Sequence, residues 1–286
     1  MVMATQLTDP LAYHAEGAVW CEEWGGLKWV DMLAGAVLSL DQSSGQVNRF
    51  ETGSAVAAMV RPRVNGGLVI ATQSEFTLWG ADGRKEFSSP PLFPASRSRL
   101  NEGGCDPTGA VICGSLTHAR DAGGGEVYRM NSDGSTEPLF GDVTISNGLG
   151  FTADGRMMYY VDSRTRRVDV FDFTGGHLSS RRPFVTIAEG AGSPDGLWVD
   201  EQDGVWVALF NGAAVNHYNS AGRLQDVIEL PVRQVTSCTL GGPNLDTLFI
   251  TTSRENLAPD DQPLAGSVFF VPDVGVRGLA VLPFAG

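Results

Sequence analysis

The sequence predicts an all-β chain folded as a six-bladed β-propeller. A unit made of a turn rich in Gly, Asp or Asn, an apolar strand, a polar break and a second strand recurs six times. The units follow one another at about 40 to 50 residues, which suits one four-stranded blade each. Their turns begin near Gly26, Gly67, Gly109, Gly155, Gly204 and Asp246.

The individual segments support strands over helices. LKWV, LVIAT, MMYYVD, VWVAL and LFITT are short, rich in β-branched or aromatic residues and bounded by turn residues. The 36 glycines suit many tight turns, because Gly adopts positive φ without a steric penalty. No Pro/Ser-rich linker or charge run interrupts the repeats. We therefore expect a single propeller domain over residues 1–286, with little helix.

Composition limits the partners. The net charge of −13 argues against nucleic acid and against an anionic membrane surface, because long-range repulsion would oppose the encounter. Solubility explains this charge, with a local field that attracts cations as the alternative. We expect a monomer or weak homodimer that binds a small molecule.

Cysteine usage and the N-terminal residues indicate the compartment. The four cysteines form no C-x-x-C pair and lie in or beside strand patterns, which predicts buried free thiols of a reducing compartment. They are Cys21, Cys105, Cys113 and Cys238. The first residues lack a basic region followed by an apolar one, and no apolar run approaches membrane-spanning length. We expect a soluble, cytoplasmic protein.

Four short phrases place an oxygen-bearing side chain directly before or close to glycine and an apolar run. They open the first, third, fourth and fifth units, and residues at the entry to the innermost strands gather at the mouth of a propeller channel. The side chains are Glu16 in AEGAVW, Asn101 in RLNEGG, Asn147 in SNGLGF and Asp195 in SPDGLWV. The second and sixth units have apolar or weakly polar groups instead, around Ala58 and Cys238.

Two carboxylates and two amides form a set of hard oxygen ligands. Such a set suits Ca²⁺, Mg²⁺ or Mn²⁺ and tolerates Zn²⁺ or Fe²⁺, so the ligand type does not choose the metal. Three protein ligands would leave positions for water and substrate, as in a catalytic site. Asn-Gly and Asp-Gly are also common hairpin signals, so turns are the alternative reading of each pair.

Longer phrases resemble one known family. RLNEGGCDPTGAVICGSL, ISNGLGFTADGRMMYYVDSRTRRVDVFDF and SPDGLWVDEQDGVWVALFNG are similar to those of the regucalcin (senescence marker protein)/gluconolactonase family, in order from about Ala15 to Phe270. The resemblance implies a six-bladed propeller with one divalent metal ion in its channel, and commonly hydrolysis of sugar lactones. It also implies that Glu16, Asn147 and Asp195 are metal ligands and that Arg99 and Asn101 hold the substrate.

Two departures from the family pattern leave the substrate open. The chain has Asn101-Glu102-Gly103 where the family often has Asn-Asp-Gly. A substrate-binding acidic residue of some members is not matched in the stretch from Gly114 to Arg120. His118 and Arg120 are candidates for ligand contact there, with a solvated loop as the alternative. No role is assigned to the other histidines, which are His14, His177 and His217.

The expected reaction is the opening of a lactone of the aldonic type to its acid. Asp195 is the candidate general base, with a water activated by the metal itself as the alternative. No G-x-S-x-G motif indicates a serine nucleophile.

Three other functions stay open. They are a calcium-binding regulatory protein without turnover, a propeller hydrolase of organophosphate esters or other lactones, and a protein-interaction scaffold.

Overall fold

Six β-sheets surround one axis in the computed structural model, which describes residues 2–258 and 260–286. The innermost strand of each sheet contacts the innermost strands of both neighbouring sheets, so the six sheets close into a ring. The fold is therefore a six-bladed β-propeller, as the repeats predict. Each repeat contributes one blade because consecutive short strands pair antiparallel through tight turns.

The first three blades run from the axis outward in chain order. Blade one contains β3 (Ala15–Cys21), β4 (Gly26–Asp31), β5 (Ala36–Leu40) and β6 (Val47–Glu51). Blade two contains β7 (Ala57–Pro62), β8 (Leu68–Thr72), β9 (Phe76–Trp79) and β10 (Lys85–Ser88). Blade three contains β11 (Ser98–Cys105), β12 (Val111–Thr117), β13 (Gly125–Met130) and β14 (Thr136–Val143).

The last three blades continue the same order. Blade four contains β15 (Ser146–Phe151), β16 (Met157–Asp162), β17 (Arg167–Thr174) and β18 (His177–Thr186). Blade five contains β19 (Ser193–Val199), β20 (Val205–Phe210), β21 (Ala214–Tyr218) and β22 (Leu224–Glu229). Blade six begins with β23 (Val235–Gly241), β24 (Thr247–Thr252) and β25 (Val268–Val271).

Two short N-terminal strands, β1 (Val2–Met3) and β2 (Thr5–Gln6), complete the outer edges of blades five and six. Strand β2 pairs antiparallel with β25 and becomes the fourth strand of blade six. Strand β1 pairs parallel with β22 and gives blade five a fifth strand. Blade six therefore combines an N-terminal strand with three strands from the last third of the chain, and their backbone hydrogen bonds close the ring.

Helix content is low, as expected. The described residues contain no α-helix and three short 3₁₀ helices, Glu22–Trp24, Met32–Ala34 and Ser163–Thr165. None of these helices is long and apolar enough to cross a membrane.

The core lies between the faces of adjacent blades. Large side chains with almost no exposed surface fill it, including Trp29, Phe76, Tyr159 and Trp206. Burying a side chain of this kind contributes roughly 1.5 to 3 kcal/mol. The four cysteines are free and buried, as the sequence predicts.

His217 belongs to this packing. Its ring stacks on Trp206, with 4.0 Å between the ring centroids. Its Nε2 lies 3.0 Å from Asp200 Oδ2. The indole Nε1 of Trp206 donates to the same oxygen at 3.0 Å. These contacts give His217 a structural role.

Candidate active site

All six innermost strands carry an irregularity at the same place. In each strand the pairing with the second strand of the blade shifts register within its first few residues. Such bulges re-aim side chains and are common beside functional sites. The shifts lie between Glu16 and Val19, Ala57 and Met59, Leu100 and Gly103, Ser146 and Leu149, Pro194 and Leu197, and Val235 and Ser237.

The glycines that follow two of the predicted ligands allow neighbouring blades to approach. A Cβ atom on Gly148 would lie 2.4 Å from the backbone nitrogen of Leu197. A Cβ on Gly196 would lie 2.7 Å from the Ser237 side chain. Both glycines lie inside innermost strands, β15 and β19. The hairpin reading of Asn-Gly and Asp-Gly is therefore wrong for these two pairs, because the glycines serve close backbone contact.

The five predicted site residues lie around one cavity of about 260 Å³. They are Glu16, Arg99, Asn101, Asn147 and Asp195. Four of them are buried and Arg99 is half-buried. The bulged innermost strands of blades one, three, four and five thus bring together residues that are far apart in sequence.

Three carboxylates converge here, and one of them was not predicted. Glu16, Asp195 and Glu102 each offer an oxygen atom, and these atoms lie within 4.8 Å of one another. All three side chains are buried. Within the described part of the chain, Oε2 of Glu102 has no hydrogen-bond partner.

The electrostatics of this cluster favour a cation. Burial, followed by the charge of Glu102, raises the pKa of both Glu16 and Asp195 well above the ordinary range. Burial, opposed by the charge of Arg61, raises the pKa of Glu102 to about 7. Carboxylates this close repel one another unless protons or a cation bind between them. Their oxygens and the unpartnered Oε2 fit a divalent metal ion.

A chain of hydrogen bonds orients the two amides. Arg99 Nη1 donates to Asn101 Oδ1 at 2.6 Å. Asn101 Nδ2 donates to Asn147 Oδ1 at 3.0 Å and to the Ser146 carbonyl at 2.7 Å. Asn147 Nδ2 donates to Ser163 Oγ at 2.8 Å. Each amide oxygen thus accepts one hydrogen bond, and Asn147 Oδ1 keeps a second lone pair for a ligand while it is held in place by Asn101.

Blades two and six contribute no carboxylate at the equivalent positions. The bulge of β7 contains Ala58, and that of β23 contains Thr236. Thr236 Oγ1 donates to the Ala15 carbonyl at 2.6 Å, so this hydroxyl links the innermost strands of blades six and one. Cys238 is buried two residues further along β23, and its Sγ lies 3.7 Å from the Trp206 carbonyl oxygen. The oxygen-bearing side chains predicted at the channel mouth therefore come from blades one, three, four and five.

Comparison with known proteins identifies the family. Residues 14–254 match the family model described as the SMP-30/Gluconolactonase/LRE-like region. The chain belongs to this family. Human regucalcin is 32% identical to it over 286 residues, covering 95% of this chain and 94% of the relative. A 6-deoxy-6-sulfogluconolactonase of Pseudomonas putida is 34% identical over 278 residues, with 95% and 94% covered.

A solved structure shows the same fold. The calcium-binding protein regucalcin from Agrobacterium tumefaciens superposes with a TM-score of 0.92 at 22% identity, over 100% of this chain and 98% of that one. The family resemblance and the propeller fold predicted from the sequence are thus both confirmed.

This family member has a histidine in its cavity wall to which sequence reasoning assigned no role. His14 Nδ1 lies 2.7 Å from Ser253 Oγ and 3.6 Å from Glu255 Oε2. Burial, followed by the positive charges of Arg99 and Arg120, lowers the pKa of His14 to about 3. The imidazole is therefore neutral at physiological pH. Its position two residues before Glu16 was the available signal, because alternate residues of an extended chain share a face.

Of the two candidates for ligand contact in the loop after β12, His118 and Arg120, only one lines the cavity. Arg120 lies at the cavity wall. His118 does not line it. That side chain is exposed, and its Nε2 lies 2.9 Å from the Ala95 carbonyl.

Proposed function

We propose that the protein hydrolyses a sugar lactone to the corresponding acid, using one divalent metal ion at the channel mouth. The observation that carries this proposal is the cluster of three buried carboxylates within 4.8 Å beside an open cavity. We propose Glu16, Asn147 and Asp195 as the metal ligands. The 6-deoxy-6-sulfogluconolactonase relative supports a lactone as the substrate.

The donor set suits Ca²⁺, Mg²⁺ or Mn²⁺ and tolerates Zn²⁺ or Fe²⁺. When bound, the ion would supply a Lewis acid for the lactone carbonyl. Because burial and the charge of Glu102 raise the pKa of Glu16 and Asp195, we expect binding of the ion to release protons.

Asp195 is the proposed general base. Its carboxylate lies in the cavity wall and is buried, and burial is the largest cause of its raised pKa. A carboxylate beside the attacking water can accept its proton, and a water activated by the metal itself is the alternative. Arg99 and Asn101 would orient the substrate. The Arg99 guanidinium has donors beyond the one bonded to Asn101, and these are suited to sugar hydroxyls.

The wall of the cavity favours a polar substrate over an apolar ester. Its apolar members are Leu116, Ile145 and Phe210, and charged or amide side chains occupy most of the rest. An organophosphate or aromatic-lactone hydrolase would favour an apolar cup. The calcium-binding alternative without turnover is supported by the names of the regucalcin relatives.

A hydrolysis screen separates these functions. The metal-reconstituted protein is supplied with neutral aldonolactones, an aryl lactone and an organophosphate ester, and released acid is titrated at constant pH. We expect turnover of aldonolactones well above the spontaneous rate. A protein that Ca²⁺ stabilises against heat, but that hydrolyses none of these compounds, would be a calcium-binding protein instead.

A further inference from the structure

Three arginines face the proposed lactone site, in a protein whose net charge is −13. They are Arg99 from strand β11, Arg120 from the loop after β12 and Arg164 from the short helix after β16. Arg99 is half-buried and bonded to Asn101. The side chains of Arg120 and Arg164 are exposed. Across residues 2–258 and 260–286, neither guanidinium group makes a hydrogen bond or an ion pair, although the backbone N–H groups donate to the Thr117 carbonyl and to Asp162 Oδ1.

The acids of the cavity wall have other partners. Glu16 and Asp195 are proposed metal ligands, so a divalent ion would balance their charges. Glu255 Oε2 lies 3.6 Å from His14 Nδ1. In the described wall, none of these three acids forms an ion pair with Arg120 or Arg164.

Arg120 lines the same cavity as Arg99. Two guanidinium ions beside one cavity repel each other, and an anion between them removes that repulsion. Arginine binds phosphate, sulfonate and carboxylate groups well, because its planar fork donates two parallel hydrogen bonds.

The stretch before Arg120 adds no negative charge to this part of the wall. This chain has no acidic residue between Gly114 and Arg120 and ends the stretch with a cation that reaches the cavity. The charge of this part of the wall is therefore positive.

We propose that the substrate is a sugar lactone carrying an anionic oxygen-rich group, and that Arg120 and Arg164 bind this group at the cavity rim. The inference rests on the proposed lactonase function. In this arrangement the lactone carbonyl lies toward Asp195 and the anionic group lies at the other end of the sugar.

The test compares three aldonolactones that differ only on the carbon farthest from the lactone carbonyl. One carries a hydroxyl, one a phosphate and one a sulfonate. We expect kcat/KM of the wild type to be at least about 10-fold higher for one anionic lactone than for the neutral one. Arg120→Gln should lower this ratio about 10- to 100-fold, mainly through KM, because the anion lies away from the reacting carbonyl. Arg164→Gln should lower it in the same direction.

Arg97→Gln is the matched control. Arg97 is exposed and near the same loop, but it does not line the cavity. The substitution changes the net charge by the same amount and should leave the ratio unaltered. Equal kcat/KM for all three lactones in the wild type would overturn the proposal. So would an equal loss of preference in Arg97→Gln and Arg120→Gln, since that result indicates long-range charge alone.

Calorimetry with a hexitol phosphate and the unmodified hexitol tests the anion site without turnover. We expect the hexitol phosphate to bind more tightly, and Arg120→Gln to remove the difference. If no lactone is hydrolysed but this difference is found, the lactonase function fails and the anion site stands. If neutral lactones are hydrolysed and the two hexitols bind alike, the anion site fails and the lactonase function stands.

Discussion

The side-chain amide of Asn101 donates to that of Asn147 across the boundary between blades three and four, with 3.0 Å from Nδ2 to Oδ1. Arg99 fixes the orientation of Asn101 by donating to its Oδ1 at 2.6 Å. The proposed ligand oxygen of Asn147 is thus held in place by residues that need not bind the metal. Support of this kind tunes both metal affinity and activity.

Asp195→Ala and Asn101→Ala should therefore have different effects. The first removes a proposed ligand and the candidate base, so lactone hydrolysis should fall by several orders of magnitude together with metal affinity. The second removes an orienting group, so hydrolysis should fall about 10- to 1,000-fold while most of the metal affinity remains. Metal calorimetry and lactone hydrolysis measure both quantities. Complete loss of metal in Asn101→Ala would instead make Asn101 a ligand.

Gly148→Ala should weaken metal binding although it removes no ligand. The new Cβ would lie within 3.0 Å of three backbone atoms of Asp195, Gly196 and Leu197, so strand β19 must move. That strand carries Asp195. Gly141→Ala is the control, because its nearest neighbour is an ordinary contact at 3.6 Å. We expect calorimetry to show weaker metal binding for Gly148→Ala only. Equal affinities of the two variants would contradict the close approach of the two strands.

In the metal-free protein, the contribution of Glu102 to stability should be lost as the pH rises from about 4.5 to about 7. In the folded state the pKa of Glu102 is raised to about 7 from the ordinary 4.5, so the folded state binds more protons than the unfolded state in this window. This contribution is complete below the unfolded pKa and is lost as the pH rises through the folded one. Urea unfolding of chelator-treated protein at several pH values measures the trend.

Glu102→Gln removes this group together with its charge, which also raises the pKa of Glu16 and Asp195. His14, whose pKa is lowered to about 3, contributes the opposite trend below its ordinary pKa of 6.5, but it is present in both proteins. We expect the free energy of unfolding of the variant to decline less with pH than that of the wild type. Glu189→Gln, at an exposed position, should decline like the wild type. Parallel curves for all three proteins would show that Glu102 does not titrate as inferred.

The propeller could be predicted because turn residues and short apolar strands recur in the sequence with the period of one blade. The convergence of Glu16, Asn101, Asn147 and Asp195 on one cavity followed from that period, since equivalent residues of each blade meet at the axis. The short strands β1 and β2 lie outside the repeats, so the completion of blades five and six by N-terminal residues was not predicted.

The bulges explain what else the sequence did not reveal. Neighbouring residues of a regular strand point to opposite faces, so Glu102 beside Asn101 would not be expected to reach the same site. The register shift between Leu100 and Gly103 changes that geometry. Arg120 comes from a loop, and loop conformation depends on contacts rather than on the repeat.

Metal removal tests the central claim most directly. The wild-type protein is stripped with a chelator, its metal content is verified, and aldonolactone hydrolysis is titrated at constant pH before and after a divalent ion is restored. We expect no hydrolysis above the spontaneous rate and a lower Tm in the stripped protein, because a ligand that binds only the folded state stabilises it by mass action. More than one divalent ion should restore activity. Full hydrolysis by the verified metal-free protein would contradict the account.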